Sequence, residues 1–439
     1  MIVPRTRLLF WTAAVTMPLS LFAAIAPETA PFCVLLVSVF GAAVIADGWL
    51  ANRSVAGIAL ELPPVIRTSK DRASRFQIRI KNEVARQRSI RLGFAWPPQI
   101  SAPEALDVDL PHDARWSHLE WTCTPARRGK YPITSAFVEG GSPVGFWAAR
   151  RAISVTSEVR VYPNLMEERR KVAALFLNRG AFGIHAQRQV GQGRDFEKLR
   201  EYAAGDGFDE IHWKATARRG KPITKLFQIE RTQEVYVVID ASRLSTRDAG
   251  GTPLFERIIT AALVLGLAAE RQGDLFGLLV FSDKIERFVR AKNGKAHYGV
   301  CRDALYTLHA RIVTPDFDEL WSFLRLRLRR RALIVFLTSL DDPALADSFI
   351  RNVNLIRLQH FMLVNMIRQP GVRPLFTDSK VSLVDDLYEQ LAGHLQWQKL
   401  RRVEKALERR GVQFSLLENE RLSTELVSQY LSVKQRQLL

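Results

Sequence analysis

Hydrophobic and polar positions follow different periods along the chain. From Leu8 to Ala26, and again from Phe32 to about Leu50, the residues are almost wholly apolar. Each run is long enough to cross about 30 Å of hydrocarbon as a helix. Between about Val55 and Pro163 the period falls to two. Phe76, Ile78 and Ile80 alternate with Arg75, Gln77, Arg79 and Lys81, and Ile90, Leu92, Phe94 and Trp96 repeat the pattern. Pro63-Pro64, Pro97-Pro98, Gly129 and Gly140-Gly141 punctuate these runs, which predicts a small antiparallel β-sandwich with one solvated face.

A charged, helix-prone stretch follows, with Glu167, Glu168, Arg169, Arg170 and Lys171 in a row, and reads as a solvated connector. The run Val235, Tyr236, Val237, Val238, Ile239 then closes on Asp240 without alternation. Such a run predicts a strand buried on both faces. Helix and strand alternate beyond it. Helices are predicted over Leu254–Gln272, His297–Ala310, Val384–Arg410 and Leu422–Gln435, and strands over Leu275–Phe281, Ile285–Val289, Leu333–Leu337, Leu358–Ile367 and Val412–Leu417. Pro253 suits the first helical turn, and Gly273 and Gly411 serve as stops. The fold class is α/β, a mostly parallel sheet with helices on both faces. The expected divisions are two transmembrane helices over 1–54, a β-sandwich over 55–163, a connector over 164–230 and the α/β domain over 231–439.

Charge orients the apolar runs. Arg5 and Arg7 precede the first, Arg53 follows the second, and the turn Pro27–Pro31 carries no Lys or Arg. By the positive-inside rule both ends lie in the cytoplasm, making a hairpin in the bilayer. The alternative is a cleaved signal peptide ending at Ala24-Ile25-Ala26, which would leave the second run as an anchor. Asp47, within about a turn of Arg53, is expected at the interface rather than as an intramembrane functional carboxylate. The formal charge of +18 suits a domain beside anionic lipid, with nucleic-acid binding as the alternative. Arg325, Arg327, Arg329, Arg330 and Arg331 alternate with Leu324, Leu326 and Leu328, predicting a half-buried segment with a solvated basic face.

Other candidate chemistry is sparse. Cys33, Cys123 and Cys301 are too scattered for a metal site or disulfide framework, and reduced thiols are expected. His112 and His118 lack ligand partners in sequence. Gly191-Gln192-Gly193 has neither a preceding strand nor the Lys-Ser or Lys-Thr of a phosphate loop. Asp240, at the carboxyl end of its strand, stands where α/β sheets bind ligands.

The block Phe196, Leu199, Arg200, Glu201, Tyr202, Gly205, Asp206, Ile211, His212, Trp213, Ala217 and Arg218 resembles the signature of the bacterial "domain of unknown function 58" family. The resemblance implies a von Willebrand factor A-like domain, a place in the bacterial inner membrane with most of the chain in the cytoplasm, and work with a MoxR-type AAA+ ATPase. The segments Arg128–Tyr131 and Ser142–Trp147 resemble the family's β-domain, with Ser142 where many members carry Asp. Asp209 stands where members commonly carry Arg.

In the A-domain fold a divalent ion is held by Asp-x-Ser-x-Ser, a Thr from a later loop and an Asp after the following strand. Asp240 and Ser242 match, the third position is Leu244, and Ser339 falls where the acidic ligand is expected, leaving Asp341 to reach back. Thr314 is one candidate for the threonine. The resemblance therefore implies a degenerate site for Mg²⁺ or Mn²⁺, against which Asp240 and Ser242 also suit turn and helix capping. His212 with Asp206 and Arg218 could form an acid/base pair with an anion-binding arginine. The alternative is structural: Trp213 packs, His212 and Arg218 bond Asp206 or Glu201, and the block braces two domains. No nucleophile with a matching His and acid stands out. The expected function is a membrane-anchored adaptor or scaffold rather than an enzyme, the alternatives being a metal-dependent hydrolase at Asp240 and a basic nucleic-acid binder.

Overall fold

The structure is a computed structural model describing residues 1–84, 88–112, 114–178, 190–203, 207–208, 211–228, 232–248, 251–375, 377 and 384–436, with the side chains of 175–178, 190–198 and 226–228 excepted. Its contacts divide the chain into two units, Met1–Asn164 and Leu165–Leu439.

In the first unit a short strand β1 (Ile2–Pro4) leads into helices α1 (Thr6–Ile25) and α2 (Ala30–Ala51). Both helices are long and apolar enough to span a membrane. Their apolar side chains, among them Leu9, Phe10, Phe22, Phe32, Val39 and Ile45, are exposed. Polar groups along α1 satisfy themselves: the Thr12 and Thr16 hydroxyls donate to the carbonyls of Leu8 and Thr12, each at 2.7 Å. Bonds of that kind leave no unpaired hydroxyl to face hydrocarbon.

The strands that follow are β2 (Ile58–Glu61), β3 (Val65–Ser69), β4 (Ser74–Asn82), β5 (Arg88–Phe94), β6 (Ile100–Ser101), β7 (Ala105–Leu110), β8 (Trp116–Pro125), β9 (Gly129–Gly141) and β10 (Trp147–Tyr162). One sheet runs β1-β10-β9-β5-β7 with β3 added to β10, and another runs β2-β4-β8-β6. Every pairing is antiparallel except β3 with β10, which is parallel. The predicted alternation decides which face is inside. Phe76, Ile78 and Ile80 on β4 are buried while Arg75, Gln77 and Arg79 are exposed. They meet Ile90, Leu92 and Trp121 in one core. Full burial of each such aliphatic side chain stabilises by about 1.5–3 kcal/mol. The turn that follows α2 enters this packing too, since a Cβ on Gly140 would lie 2.5 Å from the Ser54 hydroxyl. Only glycine admits that approach.

The second unit begins with α3 (Met166–Asn178), a two-stranded antiparallel sheet of β11 (Val190–Glu201) and β12 (Ile223–Gln228), and the short helix α4 (Trp213–Arg219) between them. Gly191-Gln192-Gly193 therefore lies within a strand, not a loop. Then come β13 (Glu234–Asp240), α5 (Leu254–Arg271), β14 (Leu275–Phe281), β15 (Ile285–Lys292), α6 (Lys295–Leu305), α7 (Phe317–Arg327), β16 (Ala332–Leu337), α8 (Pro343–Asn352), β17 (Phe361–Ile367), α9 (Val384–Glu408), β18 (Gln413–Leu417) and α10 (Leu422–Gln435). The sheet runs β15-β14-β13-β16-β17-β18, parallel but for β15. Its central strand β13 is buried on both faces, as the unbroken apolar run predicts. Val235, Val237 and Ile239 join one core with α5 and α10, while Tyr236 and Val238 join the other with α7 and α8.

Three expectations change. Leu358 is 86% exposed and β17 starts at Phe361. The helix expected to reach Ala310 ends at Leu305. The leucine–arginine stretch at 324–331 is half-buried with its arginines exposed, as expected, but it starts as helix where strict alternation is expected. Its first part is the end of α7, so spacing of four places Leu324 and Leu328 inside and leaves Leu326 73% exposed.

Candidate functional site

At the carboxyl end of β13 the Asp240 carboxylate is wholly buried. One oxygen accepts from the Ser242 N–H at 2.8 Å and the other from the Thr338 hydroxyl at 2.6 Å. The Ser245 hydroxyl donates to the Asp240 carbonyl at 2.6 Å, and the Ser242 hydroxyl accepts from the Leu244 N–H at 3.3 Å, capping a short helical turn. Burial pushes the Asp240 carboxyl above its ordinary value, against the opposing pull of the Ser242 and Thr338 bonds. Thr338, not Thr314, supplies the hydroxyl bonded to this carboxylate.

The neighbouring acid is also engaged. Asp341 accepts from the Ser339 hydroxyl at 2.9 Å, from the Gln369 amide at 3.1 Å and from the Arg247 guanidinium. Burial raises its carboxyl, but the Arg247 and Ser339 bonds outweigh that and hold it below the ordinary carboxylate value. A hard divalent cation needs several convergent oxygens carrying negative charge. Here Asp240 is turned inward, Leu244 is buried apolar side chain, and Arg247 puts a cation where a second ligand would stand. These residues do not fit Mg²⁺ or Mn²⁺. Among the described residues no group of three or more His, Cys, Asp and Glu is placed to hold a metal.

Beside these residues opens a cleft of about 180 Å³, lined by Arg247, Thr338, Ser339, Asn365, Arg368 and Gln369 together with apolar Ile258, Ile367 and Leu422. Asn365, near the carboxyl end of β17, is 2% exposed. Neither its amide nitrogen nor its amide oxygen has a hydrogen-bond partner among the described residues. An unpaired buried amide costs about 1–3 kcal/mol, and Asn365 belongs to the cleft lining. Sequence pointed to the sheet's carboxyl ends but not to Asn365, which lies inside an apolar run.

The family block divides. Gly205, Asp206 and Asp209 lie outside the described residues. His212 caps α4, its Nδ1 accepting from the Ala215 N–H at 3.1 Å. Glu201 pairs with Lys221 at 3.6 Å rather than with His212 or Arg218. The Tyr202 ring stacks on Phe208 with centroids 6.3 Å apart. Arg200 is half-buried on β11 and Arg218 is exposed. Trp213, expected to pack, is 67% exposed at the first position of α4.

A second polar centre lies in the first unit. Asp47, near the end of α2, is 2% exposed. The Ser142 hydroxyl donates to it at 2.6 Å, and the N–H groups of Val144 and Phe146 donate at 3.0 and 3.3 Å. The Ser142 oxygen in turn accepts from the N–H groups of Gly145 and Trp147, both at 3.1 Å, while the Trp147 indole donates to the Val44 carbonyl at 2.9 Å. The segment Ser142–Trp147 thus grips the end of α2. Cys33, Cys123 and Cys301 are all buried free thiols, and burial pushes Cys301 up to about 12, far from the thiolate that reactivity needs.

These features define a mixed α/β protein with two N-terminal helices able to span a membrane and a polar cleft at the carboxyl ends of a mostly parallel sheet. Residues 198–409 match the family described as "Protein of unknown function DUF58". No curated protein matches the sequence. Among solved structures, the VWA domain of SpRpn10 is similar at 13% identity and a TM-score of 0.30, covering 45% of this chain and 95% of that one. A PapD-like domain of human CEP192 is similar at 12% identity and a TM-score of 0.18, covering 25% of this chain and 87% of that one. TM-scores this low carry no conclusion about function.

Proposed function

We propose that the protein is an adaptor anchored in the bacterial inner membrane. Its cytoplasmic, von Willebrand A-like unit takes a polar side chain of a partner protein in the cleft at the carboxyl ends of β16 and β17, without a metal ion. The observation that carries this reading is the cleft itself. Asn365 presents an unsatisfied donor and acceptor, Arg368 adds an exposed positive charge, and Arg247 neutralises the acid that would otherwise help to bind an ion. The partner proposed from the family resemblance is a MoxR-type AAA+ ATPase.

The test uses the full chain in detergent micelles and a purified MoxR-type ATPase loaded with nucleotide. Wild type and Asp240→Asn retain the ATPase, whereas Asn365→Leu, close in volume but unable to hydrogen-bond, weakens retention about tenfold or more. Failure of wild type to retain the ATPase contradicts the partner. Equal retention by Asn365→Leu contradicts the cleft.

A further inference from the structure

Where the two apolar helices meet the β-sandwich, a cavity of about 1070 Å³ opens between the start of α1 and the end of α2. Six arginines, Arg5, Arg7, Arg53, Arg88, Arg91 and Arg150, line it against two carboxylates, Asp107 and Glu139, a surplus of four positive charges. We propose that this cavity is a binding site for the phosphate-bearing headgroup of an anionic glycerophospholipid. The inference rests on the reading that α1 and α2 span the membrane.

The internal pairings leave positive charge to spare. Glu139 is shared by Arg150 at 2.7 Å and Arg5 at 3.5 Å, and Asp107 stands 4.0 Å from Arg91. Arg88 is held just beyond the end of α2 by the carbonyls of Ser54 and Ala56, at 3.0 and 2.8 Å. Arg7 and Arg53 form no ion pair among the described residues; Arg53 lies over the Trp49 ring at 4.8 Å. Arginine donors converging on a cavity suit a phosphate, which accepts several charge-assisted bonds at once.

Position selects the lipid as the source of that phosphate. Trp11 and Trp49 sit on the cavity ends of α1 and α2, 49% and 68% exposed, where tryptophans mark the headgroup level of a bilayer. Leu50 belongs to the cavity wall and also to the exposed apolar face of α2. A lipid can therefore place its phosphate among the arginines and its acyl chains along the helices. Basic pockets beside membrane-spanning helices hold acidic headgroups by this combination.

The test adds phosphatidylglycerol, phosphatidylcholine or inorganic phosphate to the delipidated full-length chain in neutral detergent and reads bound lipid by native mass spectrometry, with thermal unfolding beside it. Phosphatidylglycerol binds and raises the melting temperature, phosphatidylcholine does neither, and Arg7→Gln with Arg53→Gln weakens phosphatidylglycerol roughly thirtyfold. Equal binding of the two lipids, or no loss in the double variant, overturns the proposal. Inorganic phosphate alone reproducing the effect overturns the lipid as the source. Alkaline carbonate extraction separates this from the anchoring claim: a chain retained in the membrane but indifferent to headgroup charge refutes only the lipid site, whereas a chain released by carbonate refutes the anchor.

Discussion

The Ser142 hydroxyl donates to Asp47 at 2.6 Å across 95 positions of sequence, joining the end of an apolar helix to a loop of the β-sandwich. The same serine oxygen accepts two loop N–H groups, and Asp47 accepts two more. Helix and sandwich are thus held by a buried polar network in which every contact depends on its neighbours.

Removing the serine hydroxyl leaves buried donors and a buried carboxylate short of partners. Ser142→Ala is expected to destabilise the chain by about 1.5–3 kcal/mol. Ser142→Asp keeps an acceptor for the Gly145 and Trp147 N–H groups but faces one carboxylate with another, so it destabilises more. Adding Asp47→Asn restores most of the loss. Thermal unfolding of wild type, Ser142→Ala, Ser142→Asp, Asp47→Asn and the Ser142→Asp/Asp47→Asn double variant in one detergent checks this, and purely additive effects count against the network.

Asp240 offers a test with a pH sign. Its folded carboxyl lies above the ordinary value of 3.8, so the native state carries a cost in the charged form. That cost is absent below the unfolded value, grows as pH rises from there through the folded value, and is complete above it. Asp240→Asn removes the charge while offering an oxygen to the Ser242 N–H and an N–H₂ to the Thr338 oxygen. The variant should be at least as stable as wild type at pH 7, with the difference shrinking as pH falls towards 4. Denaturant unfolding at both values reads it.

For Asp341 the sign reverses. Its folded carboxyl lies below 3.8, so its contribution is present above the unfolded value and is lost as pH falls through the folded one. In Arg247→Ala the burial cost remains without the guanidinium. The expected outcome is a loss of about 1.5–3 kcal/mol at pH 7, diminishing in acid, together with a rise in the Asp341 carboxyl measurable by NMR titration.

Truncating leucines at the end of α7 separates helical from alternating packing. Leu324→Ala and Leu328→Ala should each cost about 2–5 kcal/mol, and Leu326→Ala about 0.5 kcal/mol or less. Three similar losses would contradict the helix.

Much of the α/β unit was legible because its central strands are continuous apolar runs and because Gly273 and Gly411 close helices at positive φ. Helices α7 and α8 escaped the periodic reading through their mixed composition. Local signals were nevertheless present: Asp316 accepts from the Glu319 N–H at 3.0 Å, and Asp342, followed by Pro343, accepts from the Ala344 N–H at 3.0 Å. Both are aspartate N-caps. At the site, Asp240 and Ser242 could be found from strand position, but Thr338, Arg247 and Asn365 could not. Their roles come from parallel pairing of β13, β16 and β17, which brings together residues about a hundred positions apart. The partners of Asp47 were hidden for the same reason, since they follow it by 95 to 99 positions.

The account turns on whether the carboxyl-end site works without a metal. The direct measurement is titration calorimetry of Mg²⁺ and Mn²⁺ into the full chain in detergent micelles, with Asp240→Ala alongside. The predicted result is no stoichiometric binding to either protein. One ion bound per wild-type chain and lost in Asp240→Ala would contradict the account and make the cleft a metal-dependent site.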